Sequence, residues 1–254
     1  MTGRLYRALA VVSTLVSSAA MAQDGATSSS VNSGLEFTVG LGFQAGAGYV
    51  YKNGPRADGT VGDVKLSDAA NGGVAFLLEA GYRASPNWFI GAFGQYTHIL
   101  TKNNPFTCPE GFDCKTSSMR FGPQVQYHFS PEASFDPFLG VGIGFTTLTS
   151  KVEGTSPTPL PGITASVDGE STFRGPEFIN VTIGGKWRLS NSLSFGPYLT
   201  GTYARNTVRT GSTTVTVPLP PEFGGPQTTT TGAAPVEDGP QGLVILGIRG
   251  TFNL

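Results

Sequence analysis

The stretch LEFTVGLGFQAGAGYVY, residues 35–51, alternates between two kinds of side chain over its whole length. Every odd-numbered position is Leu, Phe, Val, Ala or Tyr, whereas the even-numbered positions are Glu, Thr, Gln or Gly, apart from Val50. Successive side chains of a β-strand point to opposite faces. The stretch therefore predicts a strand with one apolar face, which contacts either a protein core or lipid.

Similar runs recur along the chain, with turn-forming residues between them. One of them, residues 88–99, is apolar on both faces at first, so the sequence does not assign which of its faces points inward. The eight predicted strands are residues 35–51, 74–84, 88–99, 118–129, 138–149, 179–189, 193–203 and 243–254.

The connections between these strands are of two kinds. Three are short, at residues 85–87, 130–137 and 190–192, and they alternate with four longer ones, at residues 52–73, 100–116, 150–177 and 205–241. This sorting is typical of outer-membrane barrels. We therefore predict an all-β fold, a transmembrane antiparallel up-and-down β-barrel of eight strands, with short periplasmic turns and long extracellular loops.

The long loops are polar and rich in Gly, Pro, Ser and Thr, so we expect little ordered structure in them. Residues 213–217, TTVTV, are an exception. They extend a strand above the membrane or form one extra hairpin, which makes ten strands the alternative count.

Composition favours the membrane over a soluble β-sandwich. Charged residues make up 13% of the chain, about half the usual share of a soluble domain. The formal net charge of -1 provides no basic field for nucleic acid. After the N-terminal segment the sequence has no run of 18 apolar residues, so only a closed sheet would span a membrane.

The first residues have the features of a secretory signal peptide. Arg4 and Arg7 precede an apolar run, and Ala20-Met21-Ala22 forms a cleavage site. We predict a signal peptide at residues 1–22, followed by a barrel domain at residues 23–254.

The charged residues of the predicted strands lie on the polar face, which would line a lumen. Because an unpaired buried ion is costly, we expect Glu36 and Glu79 to pair with residues among Arg120, Lys186 and Arg249. A stabilising network is the main interpretation, and a gate or selectivity element is the alternative. Arg83 and Arg188, beside short turns, are expected to face the periplasm.

Other side chains provide little chemistry. Cys108 and Cys114 are expected to close a small loop disulfide, and the sequence indicates neither a metal site nor a cofactor. His98 and His128 fall at opposite barrel ends, so no nucleophile and base share a site and an enzyme is not expected. Aromatic residues near both strand ends predict interfacial girdles, with Tyr49, Tyr51, Tyr96 and Tyr203 on the long-loop side.

The signal peptide, the phrases RFGPQVQYHF and PFLGVGIGF, and a final strand that ends the chain resemble the small eight-stranded outer-membrane proteins of the OmpA, OmpX and OmpW type. The resemblance implies location in the outer membrane of a Gram-negative cell. It also implies contacts with lipid and lipopolysaccharide, a monomeric state and recognition by the barrel-assembly machinery. That machinery reads the last strand, where Phe252 stands two positions before Leu254, although the family usually ends in an aromatic residue.

The expected function is structural or surface-related, with a narrow channel for small hydrophobic molecules or ions suggested by the OmpW type. The alternative is a surface adhesin or recognition protein that acts through its loops. The glycines of two strands are predicted to point inward: Gly40, Gly42, Gly46, Gly48, Gly140, Gly142 and Gly144. They allow tight curvature and leave space that either side chains or water must fill.

Overall fold

The computed structural model of the protein describes residues 33–56, 59–102, 108, 111–158, 160 and 162–254. The predicted signal peptide lies outside these residues. The elements are β1 (Gly34–Pro55), β2 (Val61–Lys65), α1 (Leu66–Ala69), β3 (Ala70–Arg83), β4 (Trp88–Thr101), β5 (Phe112–His128), β6 (Phe135–Pro157), β7 (Thr164–Arg188), β8 (Leu193–Asn206), β9 (Val208–Val217), a short 3-10 helix (Pro221–Phe223), β10 (Gln227–Gly232) and β11 (Gly239–Asn253).

Eight of these strands form a closed antiparallel ring in the order β1, β3, β4, β5, β6, β7, β8 and β11. The first and last strands close it, with register from Glu36 opposite Asn253 to Gly48 opposite Gln241. Closure gives every strand of the ring two neighbours, which removes the exposed edges of an open sheet. The predicted eight-stranded up-and-down barrel is confirmed.

Three further strands extend the sheet at the long-loop end. β2 pairs with the outer part of β1, and β9 and β10 form a hairpin that pairs through β9 with β7, from Ser166 opposite Thr216 to Arg174 opposite Val208. The extra hairpin left open by the sequence therefore forms, but it stands on top of the ring. In the described part of the chain, the ring itself has eight strands and not ten.

The alternation in sequence corresponds to an outer and an inner face of the ring. Along β1 the side chains of Leu35, Phe37, Val39, Leu41 and Phe43 are exposed. The polar side chains between them, such as Glu36, Thr38 and Gln44, are buried inside the ring. An apolar outer band with a polar interior is the reverse of a soluble protein and suits a barrel surrounded by lipid.

The prediction of little structure in the long loops is wrong for residues 150–177. β6 and β7 continue through most of this segment, and they stay paired from Ser150 opposite Ser171 to Pro157 opposite Thr164. Thr and Val fit strand geometry well, and pairing satisfies the backbone groups above the ring. The result is a tall double-stranded wall.

Tyr51 is also not in the predicted outer girdle. Gly48 adopts a left-handed φ of 96°, and the pairing of β1 with β2 shifts register between Tyr49 and Tyr51. A bulge of this kind exchanges the two faces of a strand. Val50 and Tyr51 are therefore both buried, at 5% and 7% exposure.

Helices contribute little to the described residues. The α-helix α1 has four residues and joins β2 to β3. None of the helices in the described ranges is long and apolar enough to cross a membrane.

Candidate functional site

The short-turn end of the lumen is closed by charged groups around Glu36. Arg83 donates to Oε2 of Glu36 from Nε at 2.9 Å and from Nη2 at 2.5 Å, and Nζ of Lys186 donates to Oε1 at 2.5 Å. A hydrogen bond of 2.7 Å links Nδ1 of His128 to Oδ2 of Asp136 beside this group. Arg83 was expected to face the periplasm. It is instead buried, because its inward position on β3 lies within reach of Glu36 on β1.

A second cluster surrounds Glu79. Nη1 of Arg249 donates to its Oε2 at 2.8 Å, while the amides of Gln124 and Gln126 donate to Oε1 at 2.7 and 3.0 Å. The Arg249 guanidinium also lies 3.8 Å from the centre of the Phe138 ring. Residues from several strands therefore hold both carboxylate oxygens of Glu79 and the guanidinium of Arg249.

The third cluster contains a residue that the sequence reasoning missed. Arg120, at 1% exposure, donates to Glu177 through Nε at 2.5 Å and Nη2 at 2.7 Å, and to Gln95 through Nη1 at 3.1 Å. Glu177 had been assigned to a loop. A bulge displaces the register of β7 between Glu177 and Ile179 and turns the carboxylate inward. Two consecutive apolar residues, Phe178-Ile179, are the sequence signal that could have revealed it.

Aromatic rings occupy the space that the inward glycines leave. A Cβ added at Gly42 would lie 2.9 Å from the Tyr198 hydroxyl, and one at Gly144 would lie 3.3 Å from the Phe93 ring. These rings belong to a buried cluster with Ala75, Leu77, Phe138, Leu243 and Ile245. Side chains, and not open space, therefore fill this level of the barrel, as the narrow ring of eight strands permits.

The charges of the lumen balance. Among the described residues, the buried acids are Glu36, Glu79, Asp136 and Glu177, and the buried bases other than His128 are Arg83, Arg120, Lys186 and Arg249. Seven of these eight groups take part in an ion pair, and the eighth, Asp136, is hydrogen-bonded to His128. We call this filled part of the interior the sealed lumen.

Above the sealed lumen the interior opens into a cavity of about 630 Å³, which we call the outer cup. Its apolar wall residues include Val50, Tyr51, Pro55, Val64, Phe112, Leu148, Val152, Val167 and Phe173. Hydroxyl groups of Ser and Thr residues and the disulfide between Cys108 and Cys114 also belong to the lining. The walls come from β1, β2, β5, β6, β7 and β9, so no single stretch of sequence contains the site.

One charged side chain is held in the cup by aromatic rings. The Arg209 guanidinium lies 5.5 Å from the Tyr51 ring centre and 5.4 Å from that of Phe173, and these two rings stack at 5.4 Å. Nη2 of Arg209 donates to Oγ of Ser171 at 3.2 Å. Burial lowers the pKa of the Arg209 guanidinium and the neighbouring Tyr51 opposes this, but an arginine keeps its charge.

The remaining predicted site residues lie elsewhere. Phe252 is on the outer face of β11, and the backbone N–H of Leu254 donates to the carbonyl of Leu35 at 2.9 Å. His98 is exposed on the outer face of β4, at the end of the strand opposite to Trp88. Trp88 pairs with Tyr127, the neighbour of His128. The two histidines therefore lie at opposite ends of the barrel. In the described ranges, no group of three or more His, Cys, Asp or Glu residues is arranged to hold a metal ion.

A closed ring with an apolar outer face and a paired polar interior defines an integral membrane β-barrel. The sequence model of the outer membrane protein beta-barrel domain matches residues 8–217. The chain belongs to this family and is an outer-membrane protein, and its short turns are thus periplasmic and its long loops extracellular.

Several solved structures are similar to this chain. Neisserial surface protein A is 14% identical, with 88% of this chain and 99% of that one covered and a TM-score of 0.41. Outer membrane protein AlkL is 16% identical, with 91% and 96% covered and a TM-score of 0.39. OprG from Pseudomonas aeruginosa is 12% identical, with 88% and 98% covered and a TM-score of 0.41. A search of curated protein sequences found no match.

Proposed function

We propose that this outer-membrane barrel binds small, mainly apolar molecules from outside the cell in its outer cup, and that it acts neither as an enzyme nor as an ion channel. The observation that carries the proposal is a mostly apolar cavity of about 630 Å³ directly above a filled lumen. Binding pockets for small molecules commonly have volumes of about 300–1,000 Å³ and apolar walls.

The filled lumen argues against an aqueous path. An ion that crossed it would have to separate ion pairs such as Arg120 with Glu177 and Arg249 with Glu79. Breaking a buried pair leaves an uncompensated charge, which costs several kcal/mol. We therefore assign the predicted network of Glu36, Glu79, Arg120, Lys186 and Arg249 a stabilising role and not that of a gate.

The positions of the two histidines argue against hydrolysis. His98 points outward, and His128 is engaged with Asp136 in the sealed lumen. General-base catalysis requires a base within hydrogen-bond reach of a nucleophile in an accessible pocket. Neither histidine lines the outer cup.

The test measures binding of naphthalene-2-carboxamide, a neutral aromatic probe, to the protein in lipid nanodiscs, with empty nanodiscs as the blank. Leu148→Trp places a large ring in the cup, where Leu148 is 8% exposed. Leu246→Trp is the matched control, because Leu246 is 62% exposed on the outer face of β11. Loss of binding in the first variant alone supports the proposal, whereas equal binding in both variants or none in the wild type refutes it.

A second candidate, surface recognition, is favoured by β10. All six residues of this outermost strand, QTTTTG, are exposed, and among the described strands it pairs only with β9. Exposed strand edges are templates for an added strand. Replacing residues 213–231 with a short Gly-Ser turn should abolish attachment of cells to a host surface while the barrel still folds, and unchanged attachment would exclude this role.

A further inference from the structure

We propose that the outer cup selects amphipathic anions, which consist of one carboxylate attached to a small apolar body, and that Arg209 binds the carboxylate. This inference rests on the proposed function, since it specifies which molecules the cup prefers. Its main evidence is the position of a charged guanidinium inside a mostly apolar cavity.

Arg209 has spare hydrogen-bonding capacity. Its Nη2 binds Ser171, but Nε and Nη1 are buried and have no hydrogen-bond partner among the described residues. No carboxylate in the described part of the chain forms an ion pair with it. Arg209 as a whole is half-buried, and a cation partly removed from water without a counter-charge carries a cost that a bound anion would offset.

The aromatic rings keep the guanidinium in place. Tyr51 and Phe173 both lie within about 5.5 Å of it, and the Tyr51 hydroxyl is itself fixed by donating to the Pro55 carbonyl at 2.6 Å. A planar guanidinium suits carboxylate recognition and stacks on aromatic faces better than an ammonium group does. The site is therefore built before the ligand arrives.

The distribution of charge over the same strands supports selection of anions. The charged residues that line the cup are Arg56 and Arg209, and its described lining contains no Asp or Glu. The acidic residues of the surrounding walls, Asp63, Asp113, Glu153, Asp168 and Glu170, are exposed and not part of that lining. The interior of the wall is thus positive, although its outer surface carries carboxylates.

The rest of the lining determines the other end of the ligand. Val64, Leu148 and Val152 offer apolar surface in the same cavity, and burying apolar surface against them stabilises a complex. A carboxylate at Arg209 would leave the apolar body of the ligand against these residues. A bare anion such as acetate would gain only the polar contact.

The experiment compares 2-naphthoate with naphthalene-2-carboxamide, which has nearly the same shape without the charge. Both are titrated into the protein in zwitterionic lipid nanodiscs near neutral pH, with acetate as a competitor. We expect 2-naphthoate to bind the wild type at least about tenfold more tightly than the amide. Arg209→Gln should remove this preference, so that its affinities for the two probes lie within about threefold of each other, whereas Arg209→Lys should retain part of it.

Arg205→Gln is the control for a general loss of positive charge. Arg205 is an exposed arginine on β8 that pairs with Asp238 at 3.5 Å, outside the cup. Its substitution should leave the preference for 2-naphthoate unchanged, and acetate at an equal concentration should not displace the probe.

The outcomes separate the two proposals. Equal binding of both probes to the wild type, a preference that survives in Arg209→Gln, or displacement by acetate overturns the anion proposal while leaving the cup a binding site. Failure of both probes to bind overturns both proposals.

Discussion

The interior of this barrel has two regions, which differ in whether their buried charged groups have partners. In the sealed lumen, charged side chains are buried and satisfied by partners from other strands, as Arg120 is by Glu177. In the outer cup, apolar side chains surround a cavity, and the cation Arg209 has nitrogens without partners in the described residues. On this difference we base the proposal that the lumen network stabilises the barrel and that the cup binds ligands.

The largest effect is expected from breaking a lumen pair. Glu177→Gln removes the charge that faces Arg120 in a fully buried site, and we expect it to lower the free energy of unfolding by about 3–5 kcal/mol. Equilibrium unfolding in urea, followed by tryptophan fluorescence of the protein in liposomes, measures this loss. The double variant Arg120→Met with Glu177→Met should lose less, because no unpaired charge remains.

An exposed ion pair above the ring is the control for this prediction. Lys151 and Glu170 lie 3.2 Å apart with both side chains about half exposed, so Glu170→Gln should change stability by less than about 1 kcal/mol. Losses of similar size in Glu177→Gln and Glu170→Gln would mean that the lumen pair is not energetically distinct.

The next largest effect concerns packing beneath the cup. Gly42→Ala would place a Cβ 2.9 Å from the Leu246 carbonyl and 2.9 Å from the Tyr198 hydroxyl, and overpacking of this kind costs about 1–3 kcal/mol. Gly94→Ala is the matched control, since a Cβ there meets nothing within 4 Å. Thermal unfolding should show a lower midpoint for Gly42→Ala only. Equal midpoints for the two variants would show that the lumen accommodates an added methyl group without strain.

The smallest effect is expected at the rim of the cup. The Cys108–Cys114 disulfide closes a loop with a sequence separation of 6, so Cys108→Ser with Cys114→Ser should cost at most about 2 kcal/mol. The free energy of binding of the carboxamide probe should fall by more than the free energy of unfolding does, because both cysteines line the cup. A stability loss as large as that of Glu177→Gln would show that rim and lumen unfold as one unit.

The sequence predicts the ring well because alternation is a local property. Each of Glu36, Glu79, Arg120, Lys186 and Arg249 is buried in the structure, on the face that the alternation assigns to the interior. Their pairing depends on which strands lie across the lumen, so Glu36 meets Arg83 as well as Lys186. The closed ring determines these partners, and the sequence of a single strand does not.

Bulges account for two of the residues that were misplaced, Tyr51 and Glu177. The register shifts after Gly48 in β1 and at Glu177 in β7 exchange inside and outside, which brings Tyr51 into the cup and Glu177 into the lumen. The cup was not predicted, because its walls combine these displaced residues with strands from segments that the sequence suggested were loops. Arg209 reaches the cup only through the pairing of β9 with β7.

The current across a planar lipid bilayer that contains the wild-type protein tests the division into two regions most directly. A lumen sealed by ion pairs and aromatic rings predicts no unitary current at either polarity, with traces that match those of protein-free bilayers. Reproducible current steps from the wild type that change in size in the Arg120→Met, Glu177→Met variant would contradict it, because they would show a water-filled path beside Arg120.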